Sequence, residues 1–157
     1  MSIHIPKTGG TSFEESLKIW FEKKLFRHYV PDKSDSLPEK IKLKTGYSNH
    51  YIKEVCIHGH FNGNRGFGVD DYYPEIKQAI TFLRDPLERA LSLYFYSHRL
   101  IKEGRNYRAG KKFEMTNDID QFLRNFHSGI KYFFPKAISL ESIDTFVNDY
   151  FVHIGVM

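Results

Sequence analysis

The sequence predicts an α/β fold in which a mostly parallel central sheet is flanked by helices. Three observations favour this class. Short apolar segments of strand character alternate with segments of helical periodicity, a glycine turn joins the first strand to the first helix, and a compact apolar run leads directly into a second long helix. The 157 residues, 41% of them hydrophobic, suffice for one packed core but are too few for two ordinary domains. We therefore expect a single domain over residues 1–157.

The amino-terminal segment has the pattern of a strand, a glycine turn and a helix. Residues 2–5 are apolar enough for a short strand, the loop of residues 6–10 ends in two glycines, and a helix covers residues 11 to about 25. Four large apolar side chains share one face of this helix: Phe13, Leu17, Trp20 and Phe21. We expect that face to pack on the sheet, and Glu14 to lie on a different, charged face.

The next part of the chain is irregular and ends in a second strand. Residues 27–49 contain charges, prolines and a glycine, which predict a loop with at most a short helix at 37–43. Residues 51–58 have the β-branched and apolar character of a strand that ends near residues 58–60. A glycine-rich loop over residues 62–68 follows.

A third strand is predicted to end where the second long helix begins. Residues 79–83 are a compact apolar run, and Arg84, Asp85 and Pro86 follow at once, so that Pro86 lies in the first turn of a helix reaching about Ile101. One face of this helix is mainly apolar, with Leu87, Ala90, Leu91, Tyr94, His98 and Ile101. A second face is polar, with Arg89, Ser92, Tyr96 and Arg99.

The carboxyl-terminal part predicts a basic exposed loop at 102–116, helices near 117–126 and 139–149, and a final strand at 151–156. Strands that alternate with helices in this way form a mostly parallel sheet. Ligands of such sheets bind outside the carboxyl ends of the strands, so the polar residues that follow the strands are the candidate site residues.

The composition narrows the classes of function. A formal net charge of +4 without an arginine-rich tract argues against a nucleic-acid partner. The single cysteine, Cys56, cannot form an internal disulfide, and no Cys/His spacing predicts a zinc site. No apolar run approaches the roughly 20 residues of a membrane-spanning helix, and the first residues lack the pattern of a signal peptide. These features favour a cytoplasmic protein without an integral membrane segment; a membrane or signal segment removed beforehand is the alternative.

The first loop has the composition of an anion-binding site. Gly9 and Gly10 let backbone N–H groups approach a ligand, and the following helix start adds unpaired donors and the positive end of its dipole. Lys7 adds a positive charge, and hydroxyl donors come from Thr8, Thr11 and Ser12. A Walker A motif is excluded because the lysine precedes the glycines. The alternative interpretation is that residues 11–14 form a capping box after a simple turn.

A second group of polar residues follows the third strand. Arg84 at the strand end and Ser92 on the next helix are placed to converge on a second phosphate, with Arg89 on the same polar face. The alternative is that these arginines form surface ion pairs with Asp85 and Glu88, which stabilise proteins little.

Two histidines form the third group. His58 and His60 are two residues apart in an extended segment, so both rings point to the same side and are expected to face one cleft. Histidine is a suitable general base for a hydroxyl group at neutral pH. The alternative is that each ring is satisfied in the core or at the strand end.

Two of these segments resemble the cofactor motifs of sulfotransferases. Residues 3–12, Ile-His-Ile-Pro-Lys-Thr-Gly-Gly-Thr-Ser, resemble the 5′-phosphosulfate loop, and residues 82–94, Phe-Leu-Arg-Asp-Pro-Leu-Glu-Arg-Ala-Leu-Ser-Leu-Tyr, resemble the 3′-phosphate motif. Both occur in the order of the family, and the eight-residue spacing from Arg84 to Ser92 agrees with it. The resemblance covers the chain from residue 2 to its end and is closest to the carbohydrate branch that includes the heparan sulfate 2-O-sulfotransferases.

The resemblance implies a three-layer P-loop-like fold and a single sulfotransferase domain. Such an enzyme moves a sulfuryl group from 3′-phosphoadenosine 5′-phosphosulfate (PAPS) to a hydroxyl, or less readily an amine, of a carbohydrate or small-molecule acceptor. The resemblance assigns the phosphosulfate to Lys7, Thr8, Gly9, Gly10, Thr11 and Ser12, and the 3′-phosphate to Arg84 and Ser92. Lys7 would also neutralise the negative charge that develops on the bridging oxygen as the S–O bond breaks. His60 would be the catalytic base, with His58 as a supporting or alternative base, and the chemistry requires no metal.

One departure from the family concerns the end of the chain. Family members continue beyond the strand that corresponds to residues 151–156, and their later segment contacts the adenine and the 3′-phosphate. We therefore expect an incomplete site, either because the protein was cut or because a partner or a second copy completes it. Two alternatives stay open: a nucleotide-dependent kinase-like enzyme, and an anion-binding module that has lost turnover.

Overall fold

A five-stranded, all-parallel sheet forms the centre of the molecule in the computed structural model of this chain. The structure describes residues 1–30, 37–42, 55–105, 107–108, 111–135 and 141–157. The described strands, in chain order, are β1 (Ser2–Ile3), β2 (Leu25–His28), β3 (Cys56–Gly59), β4 (Ala79–Leu83), β5 (Tyr107–Arg108), β6 (Lys111–Lys112) and β7 (Phe151–Val156). The strand order in the central sheet is β2-β3-β1-β4-β7, and β5 and β6 pair separately as a short antiparallel hairpin.

Helices flank this sheet and confirm the predicted α/β class. The described α-helices are α1 (Gly10–Phe21), α2 (Val69–Tyr72), α3 (Pro86–Lys102), α4 (Ile119–Arg124) and α5 (Ile143–Tyr150), and short 3₁₀ helices cover Glu22–Lys24, Gly63–Arg65 and Ile130–Phe133. Helix α3 begins at Pro86, as predicted. The Asp85 side chain caps it by accepting a hydrogen bond from the Glu88 backbone N–H at 3.0 Å.

One face of the sheet carries the apolar core. Side chains alternate along a strand, so Ile3 and Ile5 point to the same face, and Ile57 of β3 joins them. The buried cluster on this face consists of Ile3, Ile5, Ile57, Phe61, Val69, Tyr73, Ala79 and Tyr150. Because α2 contributes Val69 and α5 contributes Tyr150, these helices form the layer on this side.

The opposite face is polar at its centre and is covered by α1. Ser2 pairs in register with His58, so Ser2, His4, His58 and His60 all point to this face. The start of α1 lies directly on them, and a Cβ atom added to Gly10 would clash with the His4 ring. The close approach of helix and sheet therefore requires glycine at position 10.

The face of α1 that meets the sheet differs from the predicted one. Its buried residues are Gly10, Glu14 and Leu17. Trp20 is 66% exposed, so the predictions for Trp20 and Glu14 were wrong. The physical reason is the polar sheet beneath the helix: the Glu14 carboxylate lies 2.9 Å from Nε of Arg27 and 4.0 Å from Nε2 of His58.

The segment after α1 also differs from the prediction. The helix ends at Phe21, where Glu22 adopts a left-handed φ of 45°. The edge strand β2 then pairs with β3, although the sequence predicted helix and loop there. Residues 37–42 contain no helix. The rest of the predicted loop, and residues 51–54 of the predicted second strand, lie outside the described residues.

The carboxyl-terminal half follows the predictions more closely. Helix α4 lies within the predicted stretch 117–126, α5 overlaps the predicted stretch 139–149 and ends one residue later, and β7 matches the predicted final strand. The β5–β6 hairpin lies within the stretch predicted as an exposed loop. Among the residues that the structure describes, no helix combines the length and apolar character needed to cross a bilayer.

Candidate functional site

The connections of the sheet leave a crevice between β1 and β4. The chain leaves β1 for β2 at one edge of the sheet, whereas it leaves β4 for β7 at the other edge. Loops that diverge in this way open a crevice at the carboxyl ends of the strands, where ligands bind in open α/β sheets. Lys7 follows β1 and Arg84 follows β4, so the fold brings both residues to this crevice.

A cleft of about 600 Å³ lies at this position. Its lining consists of Lys7, Arg84, Glu88, Leu91, Ser92, Phe95, Tyr96 and Arg99. The structure therefore brings together Lys7 from the first motif with Arg84 and Ser92 from the second. The volume is within the range of pockets that bind small ligands.

The loop before α1 is tightly turned. Lys7 has a φ of 70° and Gly9 a φ of 72°, so two of its residues are left-handed. The buried Thr8 hydroxyl donates to the Ile5 carbonyl at 2.8 Å, which closes the turn. Thr8 therefore stabilises the loop, whereas Lys7 faces the cleft.

The start of α1 does not form the capping box that was the alternative interpretation. Gly9 is the N-cap residue, and no side chain caps this end of the helix. Thr11 and Ser12 are exposed in the first turn. Of the first motif only Lys7 lines the cleft; Thr8, Gly9, Gly10, Thr11 and Ser12 are not among its lining residues. The Met157 side chain packs against Gly9, where an added Cβ atom would clash with it.

Arg89 has a different position from the one predicted. It is 5% exposed, and its Nε donates to the Pro6 carbonyl at 3.1 Å. Its two Nη atoms each donate to the Ser128 carbonyl at 3.1 Å. Arg89 therefore ties α3 to the loop that precedes Lys7 and to the segment after α4, and it is not among the residues that line the cleft.

Three cationic side chains face the cleft. Lys7 Nζ lies 4.1 Å from the centroid of the Tyr96 ring, and the guanidinium carbon of Arg99 lies 5.2 Å from the same centroid. Burial, followed by the charges of Arg99 and Arg84, lowers the pKa of Lys7. Arg84 donates from Nε to Glu88 at 3.1 Å, which is the ion pair of the alternative interpretation. This pair is exposed and weak, so an anionic ligand can compete for Arg84.

His60 lies half-buried beside β1, after the end of β3. Its Nδ1 is 2.7 Å from the His4 carbonyl oxygen, which can only accept, so Nδ1 is the protonated nitrogen. The neutral ring therefore keeps the lone pair on Nε2. Burial lowers the pKa of His60 and outweighs the opposing effect of the bond to His4. His60 does not line the cleft that contains Lys7.

His58 is buried beneath the same cluster. It is 1% exposed, and its Nδ1 lies 2.8 Å from the Ser2 hydroxyl. The His4 ring stacks against both of these histidines, with centroid distances of 5.4 Å to His58 and 4.4 Å to His60. Burial, then His60 and Arg27, lower the pKa of His58 to about 4. The two rings share one side as predicted, but His58 does not reach an open cleft.

Among the described residues, no group of three or more His, Cys, Asp or Glu side chains is arranged to hold a metal ion. Cys56 is a buried free thiol, and burial raises its pKa.

Sequence reasoning identified part of this site. The helical spacing placed Ser92, Tyr96 and Arg99 on one face, which the structure confirms, but it gave Tyr96 and Arg99 no role. The left-handed conformation of Lys7 has no signal in the sequence, because such φ angles are rare for lysine. Comparisons with protein-family models, with curated proteins and with solved structures find no match for this chain.

Proposed function

We propose that this chain is a PAPS-dependent sulfotransferase domain that transfers a sulfuryl group to a hydroxyl of an acceptor, which by the resemblance is a carbohydrate. The observation that supports it most is the shared cleft. Lys7 and the pair Arg84 and Ser92 come from motifs more than seventy residues apart in the chain, yet they line one cavity. These are the positions that the resemblance assigns to the two phosphorylated ends of one ligand.

The residues present fit a ligand with two separate anionic groups. Lys7 supplies a positive charge for the phosphosulfate from within the cleft. By the resemblance, the N–H groups at the uncapped start of α1 are the other donors. Arg84 and Ser92 supply a guanidinium and a hydroxyl for the 3′-phosphate. Arg99 adds a third positive charge to the same cleft.

The proposed chemistry is an in-line transfer. The acceptor oxygen forms a bond to sulfur while the bond from sulfur to the bridging phosphate oxygen breaks, and 3′,5′-bisphosphoadenosine is released. By the resemblance His60 is the base, and Nε2 is the atom that would accept the proton of the acceptor hydroxyl, because Nδ1 already carries one. Lys7 neutralises the charge that develops on the bridging oxygen, where electrostatic stabilisation is most effective.

Calorimetry with 3′,5′-bisphosphoadenosine, ATP and GTP tests the cofactor. We expect the bisphosphate to bind in preference to both nucleoside triphosphates. Arg84→Ala should weaken that binding about 10- to 100-fold, because it removes a charged hydrogen-bond donor. Arg124→Ala, at an exposed arginine of α4, is the matched control and should leave binding unchanged.

The outcomes of this experiment separate the alternatives. Preferential binding of ATP or GTP would contradict the proposal and favour a kinase-like enzyme. Binding of the bisphosphate without sulfuryl transfer to any of a panel of hydroxyl and amine acceptors would instead favour an anion-binding module without turnover. A cytoplasmic location and completion of the site by a second copy or a partner stay predictions.

A further inference from the structure

We propose that Tyr96 is a positioning residue, whose ring holds the Lys7 side chain in the cleft before any ligand binds. The role of Tyr96 in ligand binding rests on the proposed function, whereas the contact between Lys7 and Tyr96 is independent of it. Lys7 Nζ lies 4.1 Å from the Tyr96 ring centroid, which is within the distance at which a cation is attracted to the face of an aromatic ring.

An aromatic ring suits this place better than a carboxylate does. A lysine loses much rotamer freedom when it is ordered, so a partner that orders it in advance favours the bound geometry. Among the described residues no carboxylate forms an ion pair with Lys7, and the cleft carboxylate Glu88 pairs with Arg84. A carboxylate side chain in place of Tyr96 would cancel the positive charge of Lys7 and repel an anionic ligand. The ring orders the ammonium group and leaves its positive charge available.

The position of Tyr96 also joins the two motifs. Its ring contacts Lys7 of the first loop, and it lies one helical turn beyond Ser92 on α3. Arg89, on the same helix, fixes the Pro6 carbonyl next to Lys7. Helix α3 therefore holds the backbone of the loop through Arg89 and the charged side chain through Tyr96. It also contributes Ser92 to the cleft.

The same ring contacts a second cation. The Arg99 guanidinium carbon lies 5.2 Å from the Tyr96 centroid, and Arg99 is one of the charges that lower the pKa of Lys7. Tyr96 thus stabilises two like charges at one cleft, which repel each other when the cleft is empty of anions.

Nuclear magnetic resonance of the free protein tests the contact without any ligand. In the full chain labelled at lysine Cε, the Lys7 signal is assigned by its loss in Lys7→Met. We expect the Lys7 ε-methylene protons to be shifted upfield by the ring current, with the shift retained in Tyr96→Phe and lost in Tyr96→Leu. A Lys7 signal without this shift in the native protein would overturn the proposal.

A double-mutant cycle tests the consequence for binding. Tyr96→Leu should weaken binding of 3′,5′-bisphosphoadenosine about 10-fold in the native protein but by less than about 3-fold in the Lys7→Met background, where only the contact of the ring with Arg99 is left to lose. Tyr96→Phe should retain native affinity. An equal loss in both backgrounds would show that Tyr96 acts without Lys7 and would overturn the proposal.

A folding check and the combined outcomes of the two experiments separate a failure of the contact from a failure of the proposed function. Circular dichroism melting shows whether Tyr96→Leu is folded, and Tyr96→Met replaces it in both experiments if it is not. If the native protein shows the ring-current shift but does not bind the bisphosphate, the sulfotransferase proposal fails while the contact stands. If it binds the bisphosphate but lacks the shift, the positioning role fails alone.

Discussion

The protonation state of His60 follows from its immediate surroundings. The His4 carbonyl accepts the hydrogen bond from Nδ1, and burial disfavours the charged ring. The base form is therefore the resting form at neutral pH. A general base of this kind loses activity in acid only when pH falls toward its lowered pKa.

The pH dependence of the transfer reaction follows from this state. The ordinary pKa of histidine is about 6.5, and that of His60 is lower, so kcat/KM should stay on a plateau at pH 7 and fall only below pH ~6.5. His60→Ala should lower kcat about 100- to 10,000-fold, because it removes the proton acceptor. Rates measured from pH 5 to 8 check both statements.

A second histidine provides the control for this prediction. His98 lies on α3, its Nε2 donates a hydrogen bond to the Thr116 carbonyl at 3.0 Å, and it is not among the residues that line the cleft. His98→Gln should therefore keep native rates and the native pH profile. Unchanged turnover in His60→Ala, or an acid limb centred above pH 6.5, would remove His60 from the mechanism.

At the scale of single residues, the sequence predicted on which side of the sheet the rings of His58 and His60 lie, but not how deeply each ring is buried. The two-residue spacing correctly put His58 and His60 on one side. The depth of the rings depends on how closely α1 packs on the sheet, and that close packing requires glycine at position 10, where a Cβ atom would clash with the His4 ring. That is a tertiary contact between distant segments, and strand periodicity holds no information about it.

Among the elements, α3 has the largest part in shaping the site. It supplies Ser92, Tyr96 and Arg99 to the cleft and, through Arg89, fixes the loop before Lys7. A left-handed lysine is strained by about 1–3 kcal/mol, and such strain persists only where neighbouring contacts hold the backbone. The hydrogen bond from Arg89 to the Pro6 carbonyl is one of those contacts.

Removal of the Arg89 hydrogen bonds should lower the stability of the fold and loosen the loop that holds Lys7. Arg89→Met leaves the Pro6 and Ser128 carbonyls without their donor, so we expect the free energy of unfolding to fall by about 2–4 kcal/mol. Binding of 3′,5′-bisphosphoadenosine should weaken as well, although Arg89 does not line the cleft. Urea unfolding and calorimetry measure the two effects.

An arginine on the surface serves as the comparison. Arg105 pairs with Glu103 at 3.3 Å in an exposed position, so Arg105→Met should change the free energy of unfolding by less than about 0.5 kcal/mol. Equal stability of Arg89→Met and Arg105→Met would show that the buried hydrogen bonds do not hold the loop.

Helix α1 shows the limit of prediction at the scale of elements. The apolar stripe predicted that Trp20 packs on the sheet, because amphipathic helices usually bury their apolar face. The buried stripe instead contains Glu14, since the sheet face below presents His58 and the neighbouring β2 presents Arg27. Helix periodicity alone cannot identify an unusually polar sheet face, although it did predict the helix itself.

For the whole molecule, the sheet divides the interior into two unlike halves. One face carries the aliphatic and aromatic cluster, and the other carries histidines, a serine and a buried carboxylate beneath α1. The strand order could be expected only in outline, because β2 was not predicted and its pairing with β3 completes one edge. The alternation of strands and helices was sufficient for the fold class.

Buried histidines on both faces of the sheet predict how stability depends on pH, since His28 packs against Phe61 in the apolar half and His58 lies in the polar half. His28 and His58 are each 1% exposed, and burial lowers the pKa of each to about 4. In the unfolded chain both titrate near pH ~6.5, so between pH ~6.5 and ~4 the unfolded state binds protons that the folded state does not. The free energy of unfolding should then fall with acidification by up to about 1.4 kcal/mol per pH unit for each histidine.

Urea unfolding at pH 7, 6 and 5 measures this slope. His58→Asn keeps a hydrogen-bonding partner for Ser2 and should reduce the slope by about 1.4 kcal/mol per pH unit, whereas His127→Gln, at an exposed position, should not change it. The charge of Arg27 also lowers the pKa of His58, although the Glu14 carboxylate lies 4.0 Å from Nε2 of that ring. If His58→Asn retained the native slope, His58 would bind its proton equally in the folded and unfolded states. The pH dependence of the free energy of unfolding would then come from other groups.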